Sequence, residues 1–591
     1  MRLFTAIRLF SLLAGTVQTA STDTANWFDK PFGMFQINLR EIDVDMDVNA
    51  TADFIQDVGG ILANYPTKLD FQIINPRLQD RASGDLVQDS LDAARARGLR
   101  LLARVDFSKV QRQVAEAHPE WLYISPNGTW QNHTNDLVSV CPSDAWYQER
   151  IFDILDEITD WYDLDGFFVN WAGFNENDYF HVYHGVCHCA SCKKAWDEHK
   201  NGKELPYGPE DANYREWKTW SDGVMDEWTR RVRNFIAQKL PHAGLILGAS
   251  SDILFYEANN AIHREIWHHA TSETVIRLKS ERPDTPVLVN CASFLDHAYR
   301  ITSEDPHHFA QYHVQAISRG ANPSTYIIGV PSTIPCPGFE QAGEIIRFHR
   351  ANADVYSGMP SSALTALVMP PGSQVGEPHY QTEALSEYKG LYKAMQELHM
   401  PFDIVDHRYI VDMAETGDLG RYRVIVLPRI GSLYDEDAEA LDTWVATEGT
   451  VIVTGAIRTD DNDVPQLQSL PASKMRENIT DTQELTYEWK NGSTGLFKEL
   501  GYAPFAPPEY IYGNIQIDER AVGIGSYGKG KAVLFTAPVG WGYRETGLSV
   551  FRDLFELVLF EVGAEEPLPF NFAPQMEVTV NTSGNNDHTL N

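Results

Sequence analysis

The stretch Asp165-Gly-Phe-Phe-Val-Asn170-Trp171 decides the reading of the fold. A short run of large apolar residues, closed at both ends by polar ones, is the pattern of a strand buried on both faces, as parallel strands are. Related runs recur at Met34–Leu39, Lys68–Ile74, Leu99–Val105, Leu245–Gly248, Val287–Asn290, Tyr326–Ile328 and Ala363–Met369. Helical patterns stand between them at Asp85–Arg97, Tyr147–Tyr162, Met225–Lys239, Ile262–Glu281 and Phe309–Arg319. This alternation predicts an α/β chain in which residues 22–380 form a (β/α)8 TIM barrel.

Further along, Arg423-Val-Ile-Val-Leu-Pro428, Gly449-Thr-Val-Ile-Val-Thr-Gly455 and the run from Gly528 read as strands, with helices at Asp435–Thr447 and Leu548–Val562. They predict an open parallel-sheet domain, flavodoxin/amidotransferase-like, over 385–563. Amidotransferase chemistry needs a cysteine nucleophile, and no cysteine follows Cys336. A structural or oligomerising role fits this domain better. Residues 564–591 form a short tail with one strand pattern, Met576–Val580, which either adds to a neighbour or is the stub of a truncated β domain. At the other end, Arg2 and Arg8, the apolar run Leu9–Val17 and the small residues around Ala20 read as a signal peptide over 1–21. The expected location is therefore secreted, and sequons at Asn49, Asn127, Asn132, Asn478, Asn491 and Asn581 agree weakly with a glycoprotein.

Acidic residues number 82 against 48 basic ones, a net charge of −34. Such a surface repels phosphate backbones and anionic lipid, which argues against nucleic-acid and membrane partners. No run is long enough to cross a bilayer. Plentiful Trp (14) and Tyr (25) suit stacking against sugar rings as well as core packing.

Cysteines are the sharpest local signal. Cys187-His188-Cys189-Ala190-Ser191-Cys192 follows the Asp165 strand, and Cys141 lies upstream. C-x-C-x-x-C with a distant fourth thiol has the spacing of a structural, non-catalytic zinc site. In an oxidising compartment disulfides are the competing reading.

Together, Asn38-Leu-Arg-Glu41, Arg104-Val-Asp-Phe-Ser108, His118-Pro-Glu-Trp121, Asp165–Asn170, the cysteine cluster and Asp435–Leu441 resemble family 42 β-galactosidase-like glycoside hydrolases that carry a β-galactosidase trimerisation-type domain. The resemblance implies a glycosidase with a carbohydrate substrate, a zinc stabilising a loop, and a possible homotrimer.

Glycoside cleavage normally uses two carboxyl groups, which barrels place at the C-terminal ends of strands. Three acids are the expected catalytic candidates. Glu257 lies in an apolar segment that would raise its pKa toward that of a general acid. Asp106 faces the same side of its strand as Arg104, and Glu41 follows the first strand beside Arg40. Expected substrate contacts are Asn38, Arg40, Arg104, Asn170, Trp171, Glu176, Asn290 and Asp296, and expected metal ligands are Cys141, Cys187, Cys189 and Cys192. Against the family 42 pattern, Asn175-Glu176 lies a little late after the fourth strand, and Tyr326-Ile-Ile-Gly329, counted as the seventh, has no acid at its end. Fucosidase-like and amylase-like barrels end the fourth strand with an Asp nucleophile, where this chain has Asn170. They keep a catalytically degenerate, carbohydrate-binding barrel in play as the alternative.

Overall fold

A computed structural model describes residues 26–56, 60–64, 80–133, 137–178, 182–370, 382–429, 435–477, 485–501, 506–511, 515–564, 573–582 and 588–590, apart from a few single positions. The segment read as a signal peptide lies outside them.

Eight parallel strands form the first sheet: β1 (Met34–Asn38), β2 (Gly60–Asn64), β3 (Leu101–Asp106), β4 (Gly166–Asn170), β5 (Gly244–Ile246), β6 (Leu254–Ala258), β7 (Val287–Ala292) and β8 (Asn322–Ile328). Each pairs with its sequence neighbour, β8 pairs with β1, and a parallel bridge from Ile246 to Ile253 links β5 to β6. The sheet closes as a barrel, as the alternation predicts. Buried side chains such as Phe35, Ile37, Leu101, Val105, Phe167 and Val169 fasten the strands to the surrounding helices.

The strand count needs correction at three places. Strand two is Gly60–Asn64, and the segment read as that strand, Lys68–Ile74, lies outside the described residues. No helix separates β5 from β6, so a count of strand–helix pairs passes over Leu254–Ala258. The segment taken as the last barrel strand belongs to the second sheet: Thr365–Met369 pairs with Asp403–Asp406 and Val424–Pro428. Strands called sixth and seventh are thus β7 and β8, and the barrel sheet is complete at Ile328.

The second sheet comprises β9 (Thr365–Met369), β10 (Asp403–Asp406), β11 (Val424–Pro428), β12 (Thr450–Thr454), β13 (Thr494–Leu500), β14 (Gln516–Tyr527) and β15 (Gly530–Phe535), in the order β10-β9-β11-β12-β15-β14-β13. The first five in that order are parallel and the last two antiparallel. This is an open α/β sheet with an antiparallel edge. The tail adds to its neighbours. Glu577 bonds Arg319 at 2.9 Å and Gln315 at 3.0 Å, and Asn581 bridges to Ser361. Asn581 is buried and donates to the Ser318 carbonyl, so that sequon is a poor glycan site.

Candidate active site

The C-terminal ends of β3 and β4 carry one group of polar residues. Asp106 ends β3, and Asn170, in register beside it, ends β4. The Asp106 side chain is only 8% exposed. It accepts hydrogen bonds from Lys109 Nζ (2.7 Å), Ser108 Oγ (2.6 Å), the Ser108 backbone N–H (3.0 Å) and Asn170 Nδ2 (3.1 Å). Burial alone pushes its carboxyl up, but the Lys109 and Arg104 cations outweigh this and hold it well below the usual carboxylate range. Asp106 is therefore a fixed anion, unfit to donate a proton near neutral pH. Lys109 makes a direct ion pair with Asp106, and the expected Arg104 cation acts on the same carboxyl.

Asp106 also fixes the orientation of Asn170. By taking the Nδ2 donor it turns the amide so that Oδ1 is the group left for other partners. Trp171 follows at φ 55°, a backbone strained for an aromatic residue. Asn175 Nδ2 bonds its carbonyl at 2.9 Å, and its indole lies 5.5 Å from the Lys109 ammonium and edge-on to His133.

A chain of side-chain hydrogen bonds crosses the barrel interior. Ser324 Oγ donates to Asn290 Oδ1 (2.9 Å), Asn290 Nδ2 to Gln36 Oε1 (2.8 Å), Gln36 Nε2 to Asn38 Oδ1 (3.0 Å), and Asn38 Nδ2 to the Tyr326 hydroxyl (2.7 Å). Asn38 and Asn290 thus set the orientation of Tyr326, with Asn290 itself fully buried. Sequence reading missed Tyr326 and Gln36. Their signal, a polar residue at alternate positions of an otherwise apolar strand, was legible in the sequence.

The opposite side of the mouth differs. Glu257 belongs to β6, in register with Asn290 of β7, and its side chain is 29% exposed. Its contacts are Asn259 Nδ2 (2.9 Å) and His297 Nε2 (3.3 Å), so its surroundings are polar and not the apolar shell expected. Asp296 precedes His297 and accepts the Ile262 N–H at 3.0 Å. Arg40 forks onto Asp43 through Nε (2.9 Å) and the terminal nitrogen (2.8 Å). Its guanidinium also lies 3.0 Å from where a Cβ on Gly329 would sit, so a side chain there would displace it. Glu41 opens a short turn beside Arg40, and its side chain lies outside the described residues.

Glu176 is not at this mouth group. The Tyr183 hydroxyl (2.7 Å) and the Tyr214 hydroxyl (2.9 Å) both donate to it, and Lys218 lies at 3.7 Å. It pins the segment after β4 to the helix Tyr214–Lys239. That segment also carries the cysteines. Cys141, Cys187, Cys189 and Cys192 are all buried, with their sulfurs within 4.8 Å of one another. Tetrahedral zinc–thiolate bonds of about 2.3 Å put sulfurs about 3.8 Å apart, so the tetrad fits such an ion. None of the four is in a disulfide. Burial, reinforced by the neighbouring sulfurs, pushes the Cys141 thiol well above its ordinary value, which a bound cation would reverse.

Comparison with known proteins agrees with this architecture. A family model described as "Hypothetical glycosyl hydrolase 6" matches residues 38–171, the span from the end of β1 to Trp171. No curated protein matches the chain in sequence. Among solved structures, α-L-fucosidase isoenzyme 2 from Paenibacillus thiaminolyticus is similar at TM-score 0.68 and 14% identity, over 94% of this chain and 87% of that one. A cold-adapted β-galactosidase from Rahnella sp. R3 follows at 0.66 and 12%, over 93% and 92%. The β-galactosidase from Bacillus circulans sp. alkalophilus gives 0.64 and 11%, over 93% and 91%. At these identities the likeness establishes the shared fold: a barrel followed by a second α/β domain.

Proposed function

We propose that this chain is a secreted glycoside hydrolase whose general acid/base is Glu257. The observation that carries the reading is the position of that carboxyl: at the C-terminal end of a barrel strand, open to solvent, held by a neutral amide and a histidine. The matched glycosyl hydrolase model and the fucosidase and β-galactosidase neighbours support it. Glu257 gives its proton to the glycosidic oxygen as the C–O bond breaks. Asp296, next to His297, is assigned the second carboxyl that such cleavage uses. Asp106, Lys109 and Asn170 act together to orient an acceptor toward the sugar, with Trp171 as the platform for its apolar face. The Tyr326 hydroxyl, aligned through Asn38, hydrogen-bonds the substrate from the β8 side.

The cysteine tetrad is assigned a structural zinc, which ties the Cys187–Cys192 turn to Cys141 and takes no part in the reaction. A homotrimer built through the second domain completes the reading.

A second reading has its own observation. Asn170, and not an acid, ends β4, and β7 closes on Asn290-Cys291-Ala292. Both favour a carbohydrate-binding barrel without turnover.

Hydrolysis of a panel of aryl glycosides by the purified chain decides between them. Release of unsubstituted phenol by the wild type, lost in Glu257→Gln, is expected. Sugar binding without release from any substrate would establish the second reading.

A further inference from the structure

Away from the barrel mouth, a cavity of about 640 Å³ lies between the helices Ala190–Lys200 and Tyr214–Lys239. None of the mouth residues described above lines it. Its central feature is Trp220. The indole meets Trp196 edge-on at 5.8 Å and leans on Phe174 at 5.8 Å, so two buried rings fix its plane. Among the described residues its Nε1–H has no hydrogen-bond partner. Around it stand charges of both signs, Lys200, Glu216 and Glu227, with His199 beside them; Lys203 and Lys200 already pair with Glu216, and Arg230 with Glu227, so each carboxylate offers a ligand only its remaining lone pairs.

Gly223 is the second observation. It lies one helical turn from Trp220, on the same face, inside a 26-residue helix. Glycine in a helix interior weakens the helix. A Cβ at Gly223 would meet nothing within 4 Å, so no atom of this chain requires the glycine. Its effect is to leave bare backbone beside the indole and to keep the cavity open.

We propose that this cavity is a second carbohydrate-binding site, for a pyranose unit of a neutral glycan, distinct from the site of cleavage. A pyranose has an apolar C–H face and a rim of hydroxyls. An indole face fixed by its neighbours matches the first. Carboxylates that accept, with a lysine and an indole N–H that donate, match the second. Mixed rim charges and the net charge of −34 favour a neutral ligand over an anionic one. The choice of a sugar as occupant rests on reading the barrel as carbohydrate-active.

The test is calorimetric titration of the full-length protein with neutral cello-, xylo-, manno- and galactohexaoses. It compares the wild type, Trp220→Ala and Gly223→Leu, and adds kcat/KM on a small aryl glycoside. The expected result is at least one hexaose that binds the wild type and binds each variant roughly tenfold more weakly. Aryl glycoside turnover should stay unchanged in both variants. Gly223→Leu enters open space in a helix, so its Tm should not fall, and it keeps the test valid should Trp220→Ala misfold. Hexaose binding that Gly223→Leu leaves intact would overturn the site. So would the absence of binding by any hexaose in a folded wild type. Failure of aryl glycoside turnover would instead strike the catalytic reading, while the titration still decides the cavity.

Discussion

The two sides of the barrel mouth hold the same kind of residue in opposite conditions. On the β3–β4 side, Asp106 is buried, ionised and held by Lys109, Ser108 and Asn170. On the β6–β7 side, Glu257 is partly exposed, and its polar partners among the described residues are Asn259 and His297. The Lys109 and Arg104 cations hold Asp106 ionised, whereas Glu257 is open to solvent and has no Lys or Arg partner among the described residues. Strand-end position nominates both residues, and in the proposed function environment divides the work: Asp106 would position and Glu257 would transfer the proton.

The largest effect that would sharpen this contrast is on rate. Glu257→Gln should lower kcat/KM about 10²–10⁴-fold, the usual worth of a general acid/base, with an unchanged Tm. A fall in Tm with little loss of rate would place Glu257 in the structure and not in the chemistry. Asp106→Asn should cost stability as well as rate. It leaves the Lys109 ammonium, 4% exposed, without its counter-charge, and the expected cost is about 3–5 kcal/mol in chemical denaturation. A variant as stable as the wild type would show that the pair does not hold this side together. Tyr326→Phe removes the end of the amide chain and keeps its ring against Phe294. A loss of roughly tenfold in kcat, with stability altered by about 1 kcal/mol, is expected. Equal activity would detach the chain from the reaction.

The smallest effect is a slope. His313 and His349 are buried, and burial pushes each down to about 4. His133, packed against Trp171, is lowered to about 4 by burial and then by Lys109. A histidine whose folded-state pKa lies below its unfolded value takes up its proton first in the unfolded chain. This contribution to stability is therefore complete above about pH 6.5, declines as pH falls, and stops changing once the folded state protonates near pH 4. Thermal melts between those limits check it. A Tm flat from pH 7 to pH 4 would contradict the burial of these rings.

Much of the architecture was legible because it rests on local pattern. Gly166–Asn170 and Asp435–Thr447 fall on the residues their patterns indicate. Two of the failures share one cause. Counting strands by their following helices cannot find β6, which follows β5 with no helix between, so Thr365–Met369 was drawn in to complete eight. The cysteine tetrad was legible from spacing alone, because ligands must converge on one point. Tertiary partners were not. Lys109 beside Asp106, and the tyrosines that occupy Glu176, come from contacts that no periodicity encodes.

The most direct test of the division between the two sides varies the leaving group. Aryl glycosides of one sugar, from dinitrophenol to unsubstituted phenol, are compared in the wild type and Glu257→Gln. A residue that protonates the departing oxygen matters little for a leaving group stable as an anion and greatly for a basic one. The account predicts near wild-type rates on the dinitrophenyl substrate and a steep fall toward phenol. A loss of equal size across the series would contradict Glu257 as the proton donor.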